Sequence, residues 1–219
     1  MADTRKRTAV LISGRGSNLG ALIDAAAASD FPAEITLVIS NVPDAAGLDR
    51  ARQNGISSFV IDHRQYETKA AFEDEIDARL REAAIDLICL AGFMRILSTE
   101  FVEAWRDRLL NIHPSLLPMF PGLDTHARAL AAGVKEHGAS VHFVRAETDQ
   151  GPVVAQSKVP ILADDTPDML AARVLDAEHR LYPIALKLVA GGKARMVGER
   201  VMIDDSEASG GVTAGATAP

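Results

Sequence analysis

Two rhythms alternate along this chain. Apolar, β-branched runs of strand length are predicted at Thr8–Ile12, Ile35–Ser40, Ser57–Ile61, Ile85–Leu90 and Leu109–Ile112. Between them, apolar positions recur at helical spacing over Asn18–Ala28, Ala46–Asn54, Lys69–Glu82 and Ser98–Trp105. Strands that alternate with helices of this length read as βαβ units around a mostly parallel sheet. The rhythm breaks after the fifth strand, where "HPSLLPMFPGLD" carries three prolines and must run as an irregular loop before a short helix in "THARALAAG".

Beyond that point the pattern changes again. "GASVHFV" and "GPVVAQSKVPIL" are strand-like and are joined by the short "RAETDQ", a hairpin-length connection that predicts an antiparallel pair. A long helical segment spans Pro167 to Val189, with a kink expected at Pro183. "ARMVGERVMI" reads as a terminal hairpin. The expected fold class is therefore α/β, a single doubly wound domain over residues 1–205 with one antiparallel strand and a C-terminal hairpin. Residues 206–219, small and polar, are expected to form a flexible tail.

Composition narrows the functional classes. One cysteine, Cys89, within the apolar "IDLICLAGF", allows neither a disulfide framework nor a cysteine zinc site and suits a reducing cytoplasm. No stretch reaches the roughly 18 apolar residues that span a bilayer, and the N-terminal apolar run is too short for a signal peptide. A formal net charge of −7 lowers the expectation of a nucleic-acid partner, because phosphate neutralisation calls for a basic face. His126, His137 and His142 follow no metal-ligand spacing, so no metal is expected.

Two stretches carry the candidate chemistry. "LISGRGSNLG" follows the first strand and opens the first helix, where backbone N–H groups and the helix dipole receive anions. Gly14 and Gly16 permit the turn, and Ser17 and Asn18 can cap the helix or donate to an oxyanion. A dinucleotide would call for an acidic residue at the end of the second strand; Ser40 and Asn41 stand there. A phosphate monoester fits better, and a plain capped turn also remains open. In "LLNIHPSLLP", Asn111 and His113 are two residues apart at a strand's carboxyl end and can share a face. An amide beside an imidazole can stabilise an oxyanion and move a proton, although a capping Asn beside a structural His has the same spacing.

Taken together, "LISGRGSNL", "AGFMRIL", "LLNIHPSLLP", "PGLDTH", "GASVHFV", "DQGPVV" and "AEHRLYP" stand in the order and spacing of the folate-dependent glycinamide ribonucleotide formyltransferases, which the chain resembles from about Thr8 to about Val189. The resemblance implies a phosphate site at Gly16, Ser17 and Asn18, with Glu178 also on the ribonucleotide. It implies a catalytic trio of Asn111, His113 and Asp149; the charge of Asp149 opposite His113 is then expected to favour the imidazolium and fix its orientation. It implies a folate pocket lined by Lys69, Met94, Arg95, Ile96, Leu97, Asn111 and the loop Arg145, Ala146, Glu147, Thr148 and Asp149. Lys69 stands where some relatives have Arg, and Asp124 where some have His.

The implied co-substrate is 10-formyltetrahydrofolate, acting as formyl donor without a metal. The implied acceptor is glycinamide ribonucleotide, in purine synthesis and one-carbon metabolism. A cytoplasmic monomer or homodimer, with no membrane or nucleic-acid partner, goes with that reading. The alternatives are a formyltetrahydrofolate hydrolase or methionyl-tRNA formyltransferase, whose extra domains this chain is not expected to have room for, and a non-catalytic folate- or nucleotide-binding module.

Overall fold

The computed structural model describes residues 5–204 and 213–214. The chain forms two compact units that divide at Asn111/Ile112. In the first, five strands run β1 (Lys6–Ile12), β2 (Ala33–Ser40), β3 (Ser57–Val60), β4 (Leu87–Leu90) and β5 (Leu109–His113), and β5 continues into the second unit. All pairings here are parallel: β1 lies between β2 and β4, β3 flanks β2, and β5 flanks β4. The helices between them are α1 (Ser17–Ala26), α2 (Gly47–Gln53), α3 (Lys69–Glu82) and α4 (Thr99–Ala104).

Burial explains the strand composition. Residues 8–12 of β1 and all of β4 are buried, because a central parallel strand is covered on both faces and so reads as a continuous apolar run. Cys89 is part of that core, fully inaccessible. The helices start where their caps predict: Thr68 Oγ1 accepts from Ala71 N, and Ser98 Oγ from Phe101 N, both at 3.1 Å. Predicted and observed bounds agree for α3 to the residue; elsewhere they differ by up to two residues at either end, as fraying termini do.

In the second unit, α5 (Thr125–Ala131) precedes an antiparallel pair, β6 (Glu136–Phe143) and β7 (Val153–Pro160). Next comes α6 (Pro167–Ala190), then the hairpin β8 (Ala194–Val197) and β9 (Arg200–Ile203). Pro167 sits in the first turn of α6, where its missing N–H costs nothing, and Thr166 caps the helix. The helix continues through Pro183 without a break to Ala190. Most of the expected tail lies outside the described residues; Thr213–Ala214, as β10, pair antiparallel with Gln156 and Ala155 of β7. The class is α/β with a mostly parallel sheet, as the alternating pattern predicts. Among the described residues no helix is long and apolar enough to cross a membrane.

A buried polar cluster holds the proline-rich loop after β5. Ser140 on β6, fully inaccessible, donates through Oγ to the Ser115 carbonyl at 2.6 Å and accepts the Leu117 N–H at 3.0 Å. Gln156 Nε2 reaches both the Ser140 hydroxyl and the Leu117 carbonyl at 2.8 Å. A loop without regular secondary structure can be buried only if its backbone groups find partners in this way. Ser140→Ala leaves the Leu117 N–H and the Gln156 amide short of partners, and should cost about 1–3 kcal/mol in urea unfolding; a loss indistinguishable from zero would mean that the loop holds itself.

Candidate active site

The turn after β1 is built around bare backbone. Gly16 is the N-cap of α1 at φ 69°, and no side chain caps the helix, so Ser17 and Asn18 do not play the capping part expected of them. The first-turn N–H groups of α1 therefore look outward with their dipole. A cavity of about 260 Å³ lies against them, lined by residues 13–18 together with Ala91, Gly92 and Met94. Gly16 and Gly47 are pressed together: a Cβ on Gly16 would lie 2.6 Å from the Gly47 Cα. Gly47 N also donates to the Gly14 carbonyl at 3.1 Å, so the start of α2 holds the loop in place.

The loop's opposite wall is the segment after β4. Met94 and Ile96 are exposed at 69% and 72%, while Leu97 is buried. Apolar side chains held side by side in solvent at the carboxyl end of a parallel sheet suit an apolar ligand face. Leu97 is core. Ser98 ends the segment, with its N–H donating to the buried Glu73 of α3 at 2.8 Å and its hydroxyl donating to the other carboxylate oxygen. Lys69 Nζ stands 3.8 Å from Glu73 and lines a separate cavity with Asp74, Asp77 and Glu100.

The second unit assembles the ionisable centre. β5 ends at His113, just before Pro114, and the His113 imidazole is buried at 5% exposure. Its Nε2 lies 2.9 Å from the Phe120 carbonyl and its Nδ1 3.3 Å from Asp149 Oδ2. Asp149 Oδ2 also accepts the Gly122 N–H at 2.8 Å, and His142 Nε2 approaches Oδ1 at 3.7 Å. Phe120, Asp124 and Asp149 all adopt left-handed backbone, at φ 54°, 56° and 57°. Two of them, Phe120 and Asp149, meet one imidazole, which marks a site that its surroundings over-determine.

Residues 6–186 match the formyl transferase family. The chain belongs to that family. It is 48% identical to the phosphoribosylglycinamide formyltransferase of Escherichia coli, over 85% of this chain and 88% of that protein. It is 51% identical to the trifunctional purine biosynthetic protein adenosine-3 of Drosophila melanogaster; the match covers 89% of this chain and spans 14% of that protein's length. Among solved structures, glycinamide ribonucleotide transformylase 1 from Symbiobacterium toebii superposes with a TM-score of 0.89 at 43% identity, covering 94% of this chain and 96% of that one. Formyltetrahydrofolate deformylase from Burkholderia mallei shares the fold at a TM-score of 0.84 with 27% identity, covering 93% and 71%.

Within this formyltransferase fold, His113 and Asp149 meet directly, and Asn111 is two residues before His113 on β5. Gly16, Ser17 and Asn18 share the cavity at α1, with Met94 on its rim. Arg95 is exposed beside Met94. Arg145 turns its guanidinium to Glu199 at 3.0 Å, and Ala146, Glu147 and Thr148 continue the loop to Asp149. Glu178 is buried on α6.

Sequence reasoning missed two contributors. His142 enters the sequence reading only as a residue without metal-ligand spacing, but β6 is buried on both faces and carries its ring, 2% exposed, to Asp149. Phe120 contributes a main-chain carbonyl, which its residue type does not announce. Among the described residues no group of three potential ligands could hold a metal.

The protonation of His113 also differs from expectation. Burial pushes its pKa below the ordinary imidazole value, and the Phe120 carbonyl and Asp149 only partly oppose that. The ring is therefore neutral at pH 7. Burial likewise lowers His126 and takes His137 down to about 4, so these two rings, edge-on at 5.3 Å between centroids, add no charge nearby. Burial pushes the Asp149 carboxyl up, but the His142 imidazole, the Gly122 N–H and His113 outweigh it and hold the group below the usual carboxylate range. A neutral His113 satisfies one of its two acceptors, whereas an imidazolium satisfies both. Because the Asp149 charge favours that imidazolium, Asp149→Asn should lower the His113 pKa further and move its titration to more acidic pH. Imidazole proton NMR across pH 4–8 reads this directly; an unmoved titration would show that the carboxylate does not act on the ring.

Proposed function

We propose that this chain transfers the formyl group of 10-formyltetrahydrofolate to the primary amine of glycinamide ribonucleotide, giving the N-formyl product and tetrahydrofolate in cytoplasmic purine synthesis. The observation that carries this reading is the buried Asp149 carboxylate against His113, two residues beyond Asn111 on the same strand. The formyltransferase domain covers residues 1–205 on this reading. The acceptor's phosphate docks on the first-turn N–H groups at Gly16, Ser17 and Asn18, with Glu178 as a further contact to the ribonucleotide. The folate lies on the exposed Met94, Arg95 and Ile96, with the buried Leu97 anchoring that segment and with Lys69 and Arg145–Asp149 at its borders. Both substrates are small molecules, and the folate brings the activated carbon with it.

The chemistry follows from the groups present. The amine attacks the formyl carbon, and the carbonyl oxygen becomes an oxyanion as the tetrahedral intermediate forms. The Asn111 amide donates to that oxygen. The attacking nitrogen has to lose a proton and the folate nitrogen has to gain one before the C–N bond breaks. Neutral His113 beside ionised Asp149 has room for one proton in transit. Once that proton is on the ring, the Phe120 carbonyl and Asp149 hold the imidazolium from both sides. Collapse of the intermediate then expels tetrahydrofolate with the proton on its nitrogen.

The deciding assay follows 10-formyl-5,8-dideazafolate spectrophotometrically, with and without glycinamide ribonucleotide. Deformylation is expected only with the ribonucleotide present. Deformylation in its absence would assign a hydrolase, in line with the Burkholderia mallei formyltetrahydrofolate deformylase that shares the fold. Removing one preorganised donor from an oxyanion typically costs about 100- to 1,000-fold in kcat, and Asn111→Ala should lose that much while unfolding at the wild-type temperature. A variant with wild-type turnover would remove Asn111 from the mechanism.

A further inference from the structure

The first unit contains a polar knot that the proposed chemistry does not use. Ser13 is the first residue after β1 and lies immediately before Gly14 of the glycine turn. Its hydroxyl donates to Asn41 Oδ1 at 2.5 Å and accepts the Met94 N–H at 2.7 Å. Its own N–H donates to the Gly92 carbonyl at 3.2 Å. Asn41, at the end of β2, is 3% exposed, and its N–H reaches the Ile12 carbonyl at 3.4 Å. Its Nδ2 lies 3.3 Å from His63 Nδ1, beyond β3. One hydroxyl thus ties together the carboxyl ends of β1, β2 and β4.

A serine hydroxyl has one proton to give and lone pairs to accept with. Here the proton is committed to Asn41, whose buried carbonyl needs it. That commitment aims the lone pairs at Met94, on the far wall of the same cavity. The main chain at Met94 is free of any strand ladder, since β4 ends at Leu90 and Gly92 turns at φ 71°. Its amide is held by a side chain from the phosphate-side wall.

We propose that Ser13 is a positioning residue that couples the two substrate subsites, so that occupancy of the α1 turn sets the conformation of the folate-lining segment at Met94. This inference rests on the transfer reading above. An anion on the turn fixes Gly14–Ser17, Ser13 moves with them, and Met94 is held in the conformation that receives the folate. Because coupling between two sites is reciprocal, folate must tighten the ribonucleotide by the same factor.

Two measurements test it. In the unmodified protein, amide hydrogen exchange at Met94 should slow when glycinamide ribonucleotide alone is added, with no folate present; unchanged exchange at Met94 under saturating ribonucleotide overturns the inference. In parallel, the Kd of 10-formyl-5,8-dideazafolate is measured with and without saturating ribonucleotide. The wild-type ratio should be about fivefold or more, and in Ser13→Ala within about twofold of one, with Ser13→Thr restoring it through the retained hydroxyl. Full coupling in Ser13→Ala, or none in the wild type, would refute the role. A chain that binds neither compound overturns the transfer reading itself, a result distinct from binding both without coupling. The exchange measurement needs no variant, so it stands even if Ser13→Ala folds poorly.

Discussion

A carboxylate taken out of water must be met by donors, and around Asp149 that requirement arranges the polar centre of the second unit. The side chain is 9% exposed. Its partners come from three separate places: the end of β5 through His113, the loop after it through Gly122, and β6 through His142. Each of these is fixed in turn. Ser140 and Gln156 pin the proline-rich loop, and Phe120 takes an unfavourable left-handed backbone to present its carbonyl to His113. The charge is tolerated because the groups around it are already oriented, so little reorganisation is left for the moment of reaction.

The same arrangement leaves His113 between opposing influences. Burial favours the neutral ring, while two acceptors facing both nitrogens favour the cation. The balance sits low enough for the ring to be a base at neutral pH. Binding chemistry that delivers a proton to it meets partners prepared to hold that proton.

Much of this was legible in the sequence, for physical reasons that can be named. The apolar runs of β1 and β4 read as buried parallel strands, and the glycine turn was placed by its position between β1 and α1. The two-residue spacing of Asn111 and His113, just before Pro114, placed both at a strand's carboxyl end. His142 was not legible, because a strand buried on both faces shows no alternation from which its direction could be read. Phe120 acts through its backbone, and Ser13 through a hydrogen bond to a residue 28 positions away, and neither leaves a mark in local spacing. The imidazolium expected at His113 followed from counting charges without burial, which is the larger effect here.

The contact between Gly16 and Gly47 bears on how this scaffold could be altered. Neither glycine can accept a side chain without moving backbone or the buried Ile12, so the floor of the cavity at α1 is closed to substitution from both helices. Reshaping this cavity has to start from its rim, through Arg15 and Ser17, where exposed or half-buried side chains can change without disturbing the turn. Selectivity in this pocket is adjustable at its edge and rigid at its base.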